Sequence, residues 1–414
     1  MNFLVYKANK IEGEINVSGS KNAALPIIAA ALLIKEKVIL TNVPFISDVI
    51  GMIRIIESIG AKVKYNCNEG ILEITSKKIS YKVASPYVDK MRASYYLMGV
   101  LVSRKKYFEI SYPGGCNFDE RPIDIHLAAF RKLNVEIEEA EIIKFRINNF
   151  IPATIKLPIS SVGATINIIL SAAISKGITI IENASIEPEV LDVINFLNNS
   201  GANILVFNKN IIINGVDKLN SITYKIMNDR IEACSYLLLA SVVPNSNLKI
   251  KNINTMYIEE VLNTLKQMGC TINVKENEIK LISPDKLNKI NLVCDIYPSF
   301  PTDLQPIVSS ALLKAYGESV IIDKVYPKRI SHIKEFQKLG ANIKYEEEKI
   351  IIRKSNIEPK KVIATDLRCG FALIIAGAIS NSYIEIANAN IILRGYEDVI
   401  NKLKSIGVTI EQKF

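Results

Sequence analysis

Two short segments carry residues whose types and spacing suit chemistry. Ser111 to Asp124 reads SYPGGCNFDERPID. Its Pro113-Gly114-Gly115 run is turn-forming and delivers Cys116, with Asp119, Glu120 and Arg121 close behind. A nearby cation favours the thiolate, the reactive form of cysteine; the plainer reading is a tolerated surface cysteine. Pro298 to Gln305, PSFPTDLQ, sets Asp303 at the start of an apolar segment after two prolines. Aspartate there is a good helix N-cap and equally a general base for a hydroxyl, and the segment alone does not choose. Lys21, Arg92, Arg230 and Arg368 open apolar segments in the same way. A helix N-terminus already carries partial positive charge, so a cation placed there repels it unless an anion binds. Solvated caps explain one such residue; the recurrence at equivalent places favours a shared anionic ligand.

The recurrence reflects an internal repeat. An Ala-rich apolar helix, a short polar turn and an apolar strand come first, as in KNAALPIIAAALLIKEKVILTNVP from Lys21 and VGATINIILSAAISKGITIIENA from Val162. An amphipathic helix follows, clearest where Val261, Leu262, Leu265 and Met268 fall at helical spacing. It ends at a Gly or Asn pivot, residues 60, 134, 201, 269, 340 and 407, which suits a left-handed C-cap. The period is about 70 residues and it occurs six times. The first helix of each unit is apolar nearly all round and must be buried on all sides. Helices inside and sheets outside follow, in two domains of three units, because single cores stop growing near about 250–300 residues.

Composition narrows the classes. The chain has 414 residues, 49% hydrophobic and 22% charged, with a net charge of +9. That charge suits anionic ligands, or reflects a chain rich in Ile, Lys and Asn; with no dense basic run it argues little for nucleic acid. Six scattered cysteines, none in a C-x-x-C pair, and two histidines, His126 and His332, give a metal site little to draw on. Cys67, Cys234, Cys270, Cys294 and Cys369 fall in strand or helix patterns and read as inert core. The longest apolar stretch, Ala23 to Ile34, is 12 residues, well short of the roughly 20 that a membrane span needs, and the N-terminus lacks a signal-peptide pattern. The expectation is a cytoplasmic monomer with no membrane or nucleic-acid partner. P-loop, G-x-G-x-x-G and G-x-S-x-G signatures are absent.

A series of ordered motifs carries a resemblance. SGSKNAALP (Ser18 to Pro26), KMRAS (Lys90 to Ser94), PGGC…ERPIDIH (Pro113 to His126), SVGAT (Ser161 to Thr165), IENASIEPE (Ile181 to Glu189), DRIEA (Asp229 to Ala233), FPTDLQ, TDLR (Thr365 to Arg368) and RGYED (Arg394 to Asp398) follow one another along the chain. Together they resemble the UDP-N-acetylglucosamine enolpyruvyl transferases over essentially the whole length. The sister family that uses shikimate typically has Lys-Ser where Lys21-Asn22 stands.

The resemblance implies an α/β fold of two inside-out α/β barrel domains, each of three repeated units with buried helices and outer sheets. Residues 21–229 form one domain and carry the cysteine loop; residues 1–20 and 230–414 form the other and carry Asp303 and Arg394. It implies phosphoenolpyruvate and UDP-N-acetylglucosamine as substrates, with no metal or organic cofactor. Lys21, Asn22, Arg121, Arg368 and Arg394 resemble the phosphoenolpyruvate ligands, Lys21 and Arg394 being catalytic as well. Cys116 resembles the cysteine that protonates C3 of phosphoenolpyruvate, and Asp303 the group that takes the proton of the sugar 3-hydroxyl. Asn22, Arg92, Arg121, Pro122, Ile123, Asp124, Ile125, Ser161, Val162, Gly163, Asp303 and Val325 resemble the sugar-nucleotide contacts. Departures stand at Tyr326, Lys328, Leu393 and Ile159, where a paralogue serving another nucleotide would differ. A non-catalytic anion-binding protein on the same scaffold is the remaining alternative.

Overall fold

The computed structural model of the chain describes residues 1–83, 86–114 and 123–413. Twelve α-helices lie among them: α1 (Lys21–Ala30), α2 (Ser47–Ser58), α3 (Tyr96–Arg104), α4 (Asp124–Lys132), α5 (Val162–Ala172), α6 (Pro188–Asn199), α7 (Arg230–Ser241), α8 (Glu259–Gln267), α9 (Gln305–Leu312), α10 (Ser331–Lys338), α11 (Leu367–Ala378) and α12 (Val399–Ser405). The odd-numbered helices are buried, and in α7 and α11 every residue is buried. The even-numbered helices show the core one face only. In α8, Val261, Leu262, Thr264 and Leu265 are buried, while Glu259 and Lys266 stay outside. The pivots end these helices as expected: Gly60, Asn134, Gly201, Gly269, Gly340 and Gly407 all have positive φ.

Each repeat adds a four-stranded sheet, and six are present among the described residues. In one, Thr154–Lys156 pairs parallel with Gly177–Glu182, which pairs antiparallel with Asn210–Gly215, itself antiparallel to Asn203–Phe207. One face packs on the buried helix and the other is solvated, so strands alternate; Ile142–Arg146 shows buried Ile143 and Phe145 between more exposed neighbours. The α/β class with buried helices and outer sheets holds. Among the described residues the sheets do not join into a closed hydrogen-bonded barrel; each remains a separate four-stranded sheet.

The chain divides into two compact units, residues 19–114 with 123–227, and residues 1–18 with 228–413. Each has its own hydrophobic core. The first is the N-terminal unit and the second the C-terminal unit. Thr223–Lys225 supplies the parallel edge strand to Val38–Thr41 in the N-terminal unit. In the C-terminal unit that task falls to Glu12–Asn16 beside Asn247–Lys251. Asn2–Tyr6 lies between Tyr383–Ala387 and Ile410–Lys413. The boundaries between the units fall at 18/19 and 227/228, just before two helix caps. The Ser20 side chain accepts from the Ala23 N–H and so belongs with α1, and Asp229 accepts from the Ile231 and Glu232 N–H groups and so belongs with α7.

Candidate active site

In the C-terminal unit the chemistry gathers around Asp303. Residues Thr302–Leu304 form a 3-10 turn leading into α9, and no side chain caps either element. The N-cap reading of Asp303 therefore fails. Its carboxylate is held instead between two guanidiniums: Arg329 Nη2 lies 3.0 Å from Oδ1, and Arg368 Nη2 2.8 Å from Oδ2. Burial by itself would raise the pKa of this carboxyl. Arg368 and Arg329 outweigh that and hold it well below the usual carboxylate range. The Asp303 side chain keeps 26% of its surface against 4% and 5% for the two arginines, so a ligand reaches the carboxylate more readily than its partners.

Neighbouring elements fix that pair. Arg368 sits in the first turn of α11, capped by Asp366, which accepts from the Arg368 and Cys369 N–H groups. Arg368 Nη1 donates to the Tyr396 hydroxyl at 3.3 Å, and that oxygen lies 2.8 Å from Ser235 Oγ. Arg329 Nη1 donates to the Thr302 carbonyl at 2.6 Å, and its guanidinium lies over the Tyr326 ring. Asp323 ties the surrounding turn together, accepting from the Thr302 hydroxyl and from the Val325 and Tyr326 N–H groups. Val325 is thus placed by its backbone beside this network. Arg394 ends the 3-10 turn Ala389–Arg394, two residues before Tyr396. Leu393 packs on the core of this unit and Lys328 is exposed.

In the N-terminal unit, Lys21 is the first residue of α1 and pairs with Asp48 of α2 at 2.8 Å. Asn22 follows it, half-buried. Arg92 lies in a 3-10 turn before α3, its guanidinium over the Tyr95 ring. Tyr95 packs on His126, and Gly163 fits against both: a Cβ there would meet His126 Cε1 and the Tyr95 hydroxyl at 2.8 Å. Asn167 of α5 fixes that ring. Its Oδ1 accepts from the Gly99 N–H, so its amide nitrogen faces His126 Nδ1 at 2.8 Å and the imidazole proton sits on Nε2. Burial, with Arg92 adding, pushes His126 down to about 3 and keeps it neutral. Ser161 caps α5, with Val162 half-buried and Gly163 buried behind it. Ile123 is buried at the start of α4, Asp124 exposed and Ile125 half-buried. Ile159 is exposed. Cys116, Arg121 and Pro122 lie outside the described residues.

Of the other cysteines, Cys234, Cys270, Cys294 and Cys369 are buried, as their patterns suggest. Burial pushes the Cys270 and Cys369 thiols up to about 12, which leaves them inert. Cys67 differs: it is exposed, because it falls past the end of Lys62–Asn66 in the turn before the next strand. Among the described residues no three His, Cys, Asp or Glu side chains gather as a metal site requires. No helix among them is long and apolar enough to cross a membrane. Arg329, Tyr396, Asp48 and Asn167 were not singled out from the sequence. Tyr396 lies inside RGYED and Arg329 at the end of VYPKR, but nothing in either run marks a partner of Asp303.

Comparison with known proteins agrees with the fold. A model of the EPSP synthase family, described as 3-phosphoshikimate 1-carboxyvinyltransferase, matches residues 5–403. The UDP-N-acetylglucosamine 1-carboxyvinyltransferase of Halothermothrix orenii is 39% identical over 413 residues, 99% of each chain. UDP-N-acetylglucosamine 1-carboxyvinyltransferase 2 of Lactococcus lactis is 38% identical over 97% of each chain. Among solved structures, the enolpyruvyl transferase NikO from Streptomyces tendae matches with a TM-score of 0.89 at 20% identity, over 99% of this chain and 98% of that one. The EPSP synthase from Acinetobacter baumannii matches with a TM-score of 0.77 at 17% identity, over the full length of both. These two share the fold. The family model spans nearly the whole chain, and the curated relatives carry one enzyme name at 38–39% identity; the chain belongs to the EPSP synthase family of carboxyvinyl transferases.

Proposed function

We propose that this enzyme transfers the enolpyruvyl group of phosphoenolpyruvate to the 3-hydroxyl of UDP-N-acetylglucosamine, releasing phosphate, the first committed step of peptidoglycan precursor synthesis. The observation that carries the reading is the ionised, partly exposed Asp303 carboxylate between two guanidiniums, in a chain whose near full-length relatives bear that enzyme name. The sugar hydroxyl adds to C2 of phosphoenolpyruvate while C3 takes a proton, giving a tetrahedral ketal. Loss of a C3 proton with departure of phosphate then forms the enol ether. Asp303 takes the hydroxyl proton and Cys116 supplies the C3 proton. Lys21, Asn22, Arg121, Arg368 and Arg394 hold the phosphate and carboxylate, placing positive charge where the leaving group develops negative charge.

On the same reading Arg92, residues 121–125, Ser161 to Gly163 and Val325 hold the sugar nucleotide. The capped start of α5 offers its N–H groups to the diphosphate, as helix N-termini do. Residues 21–229 then form the transferase domain with the cysteine loop, and residues 1–20 with 230–414 the one with Asp303 and Arg394. The unpaired cysteines fit a reducing, cytoplasmic setting. The enzyme acts as a monomer.

The test is phosphate release from phosphoenolpyruvate with UDP-N-acetylglucosamine as acceptor. The wild type is expected to turn over, and Asp303→Ala to lose about 10²–10⁴-fold in kcat. A folded wild type that binds phosphoenolpyruvate but releases no phosphate with this acceptor would overturn the acceptor assignment. Alkylation of Cys116 by fosfomycin, read as an intact-mass adduct, tests the cysteine separately.

A further inference from the structure

The geometry points to Asp303 as the resident anion of its own substrate site: we infer that it occupies Arg368 until a substrate anion displaces it, while Arg329 retains it in place. This rests on the reading above that phosphoenolpyruvate binds here. Both carboxylate oxygens are engaged, Oδ1 by Arg329 and Oδ2 by Arg368 through Nη2 at 2.8 Å and Nε at 3.3 Å. A base so held has little affinity for a hydroxyl proton. Taking one guanidinium away raises that affinity, and the ligand able to take it is a second carboxylate or phosphate of matching fork geometry.

The two arginines are not equally free to turn. Arg329 also donates to the Thr302 carbonyl at 2.6 Å and the Thr302 hydroxyl at 3.3 Å, so it is tied to the residue beside Asp303. Thr302 is in turn fixed by Asp323 at 2.6 Å. Arg368 has, beyond Asp303, one hydrogen bond of 3.3 Å, to the Tyr396 hydroxyl, whose oxygen also engages Ser235. Its guanidinium lies over the Tyr396 ring as that of Arg329 lies over Tyr326, so the two arginines differ in their ties to backbone and hydroxyl at Thr302. Arg368 is therefore the arginine that swings to the incoming anion. The consequence is ordered activation: Asp303 gains proton affinity only once phosphoenolpyruvate has claimed Arg368, so the base is released where an acceptor can use it.

The test is the affinity for phosphoenolpyruvate alone, by calorimetry, of the wild type, Asp303→Asn, and Asp303→Asn combined with Arg368→Lys or with Arg329→Lys. The two single arginine variants serve as references, and circular dichroism confirms that each protein is folded. Asparagine keeps the shape and removes the resident charge, so Asp303→Asn is expected to bind about tenfold more tightly, as when a competing state is removed. That gain should vanish in the Arg368→Lys background and persist with Arg329→Lys. Unchanged or weaker binding by Asp303→Asn overturns the inference. So does an equal gain in both backgrounds, which is the signature of diffuse charge repulsion. A folded wild type that does not bind phosphoenolpyruvate removes the functional reading and this inference together.

Discussion

Asp192 and Asp303 are both aspartates in a largely buried setting, and their surroundings drive them in opposite directions. Asp303 meets two arginines and stays ionised. Asp192, on α6, meets the Tyr224 hydroxyl at 2.6 Å and the Met227 N–H at 3.2 Å, and burial pushes its carboxyl up to about 6. A folded pKa above the unfolded one means that the folded state holds the proton more tightly. The stabilisation is then fully present below the unfolded pKa near pH 4 and is lost as pH rises through 6. A shift of this size corresponds to about 3 kcal/mol. Asp192→Asn keeps the shape, offers its amide to Tyr224 and its carbonyl to Met227, and has no charge to form. Urea unfolding from pH 4 to 8 is expected to show the variant gaining on the wild type by about that amount as pH rises; parallel curves would refute it. Neither partner set was legible in the sequence. FPTDLQ flagged Asp303 as chemical but left cap and base undecided, because its arginines come 26 and 65 residues later. Asp192 stands on an ordinary amphipathic helix and nothing near it in sequence marks it.

At the scale of elements the sequence was far more legible, because the repeat states its helices and turns six times. Periodicity reports which helices are buried, but not which pairs must touch. The α3–α5 contact shows the gap. A Cβ on Gly99 of α3 would lie 2.5 Å from the Asn167 carbonyl oxygen and 2.8 Å from its Oδ1. Backbone cannot give way as a flexible side chain does, so the two helices must separate. Gly99→Ala, which in an isolated helix would be favourable, is instead expected to cost about 3 kcal/mol through overpacking, read from the shift in urea midpoint. The displacement also carries Asn167, His126 and the start of α5, so under the proposal that this helix start holds the sugar nucleotide, the KM for that substrate should rise more than kcat falls. A variant as stable as the wild type would show that these helices are not in the close contact described.

At the scale of the molecule, the two units differ in how they are completed, and this sets where the chain is vulnerable. The repeat count predicted three units per domain. It did not show that Asn2–Tyr6 is an inner strand, since a five-residue run at a chain end has no periodicity to read. In the fold that strand is hydrogen-bonded on both sides, and Phe3 and Val5 are wholly buried in a core that they share with Ala8, Ile11, Ile15 and Val17 and with residues of the 228–413 segment. The first few residues of most domains are loosely held unless tied into a sheet, and here the tie is central. Phe3→Ala is therefore expected to behave as a core truncation and cost about 3–5 kcal/mol. Because the cores are separate, the cost should fall on one of them. Calorimetry of a chain with two cores is expected to resolve two components. The component of the C-terminal unit should drop by about 10 °C, given the usual ratio of melting shift to free energy for units near 200 residues. The other component should stay where it was. A common shift of both would mean that the strand stabilises the molecule as one cooperative body, and that two repeats of three units is a description of its ancestry rather than of its folding.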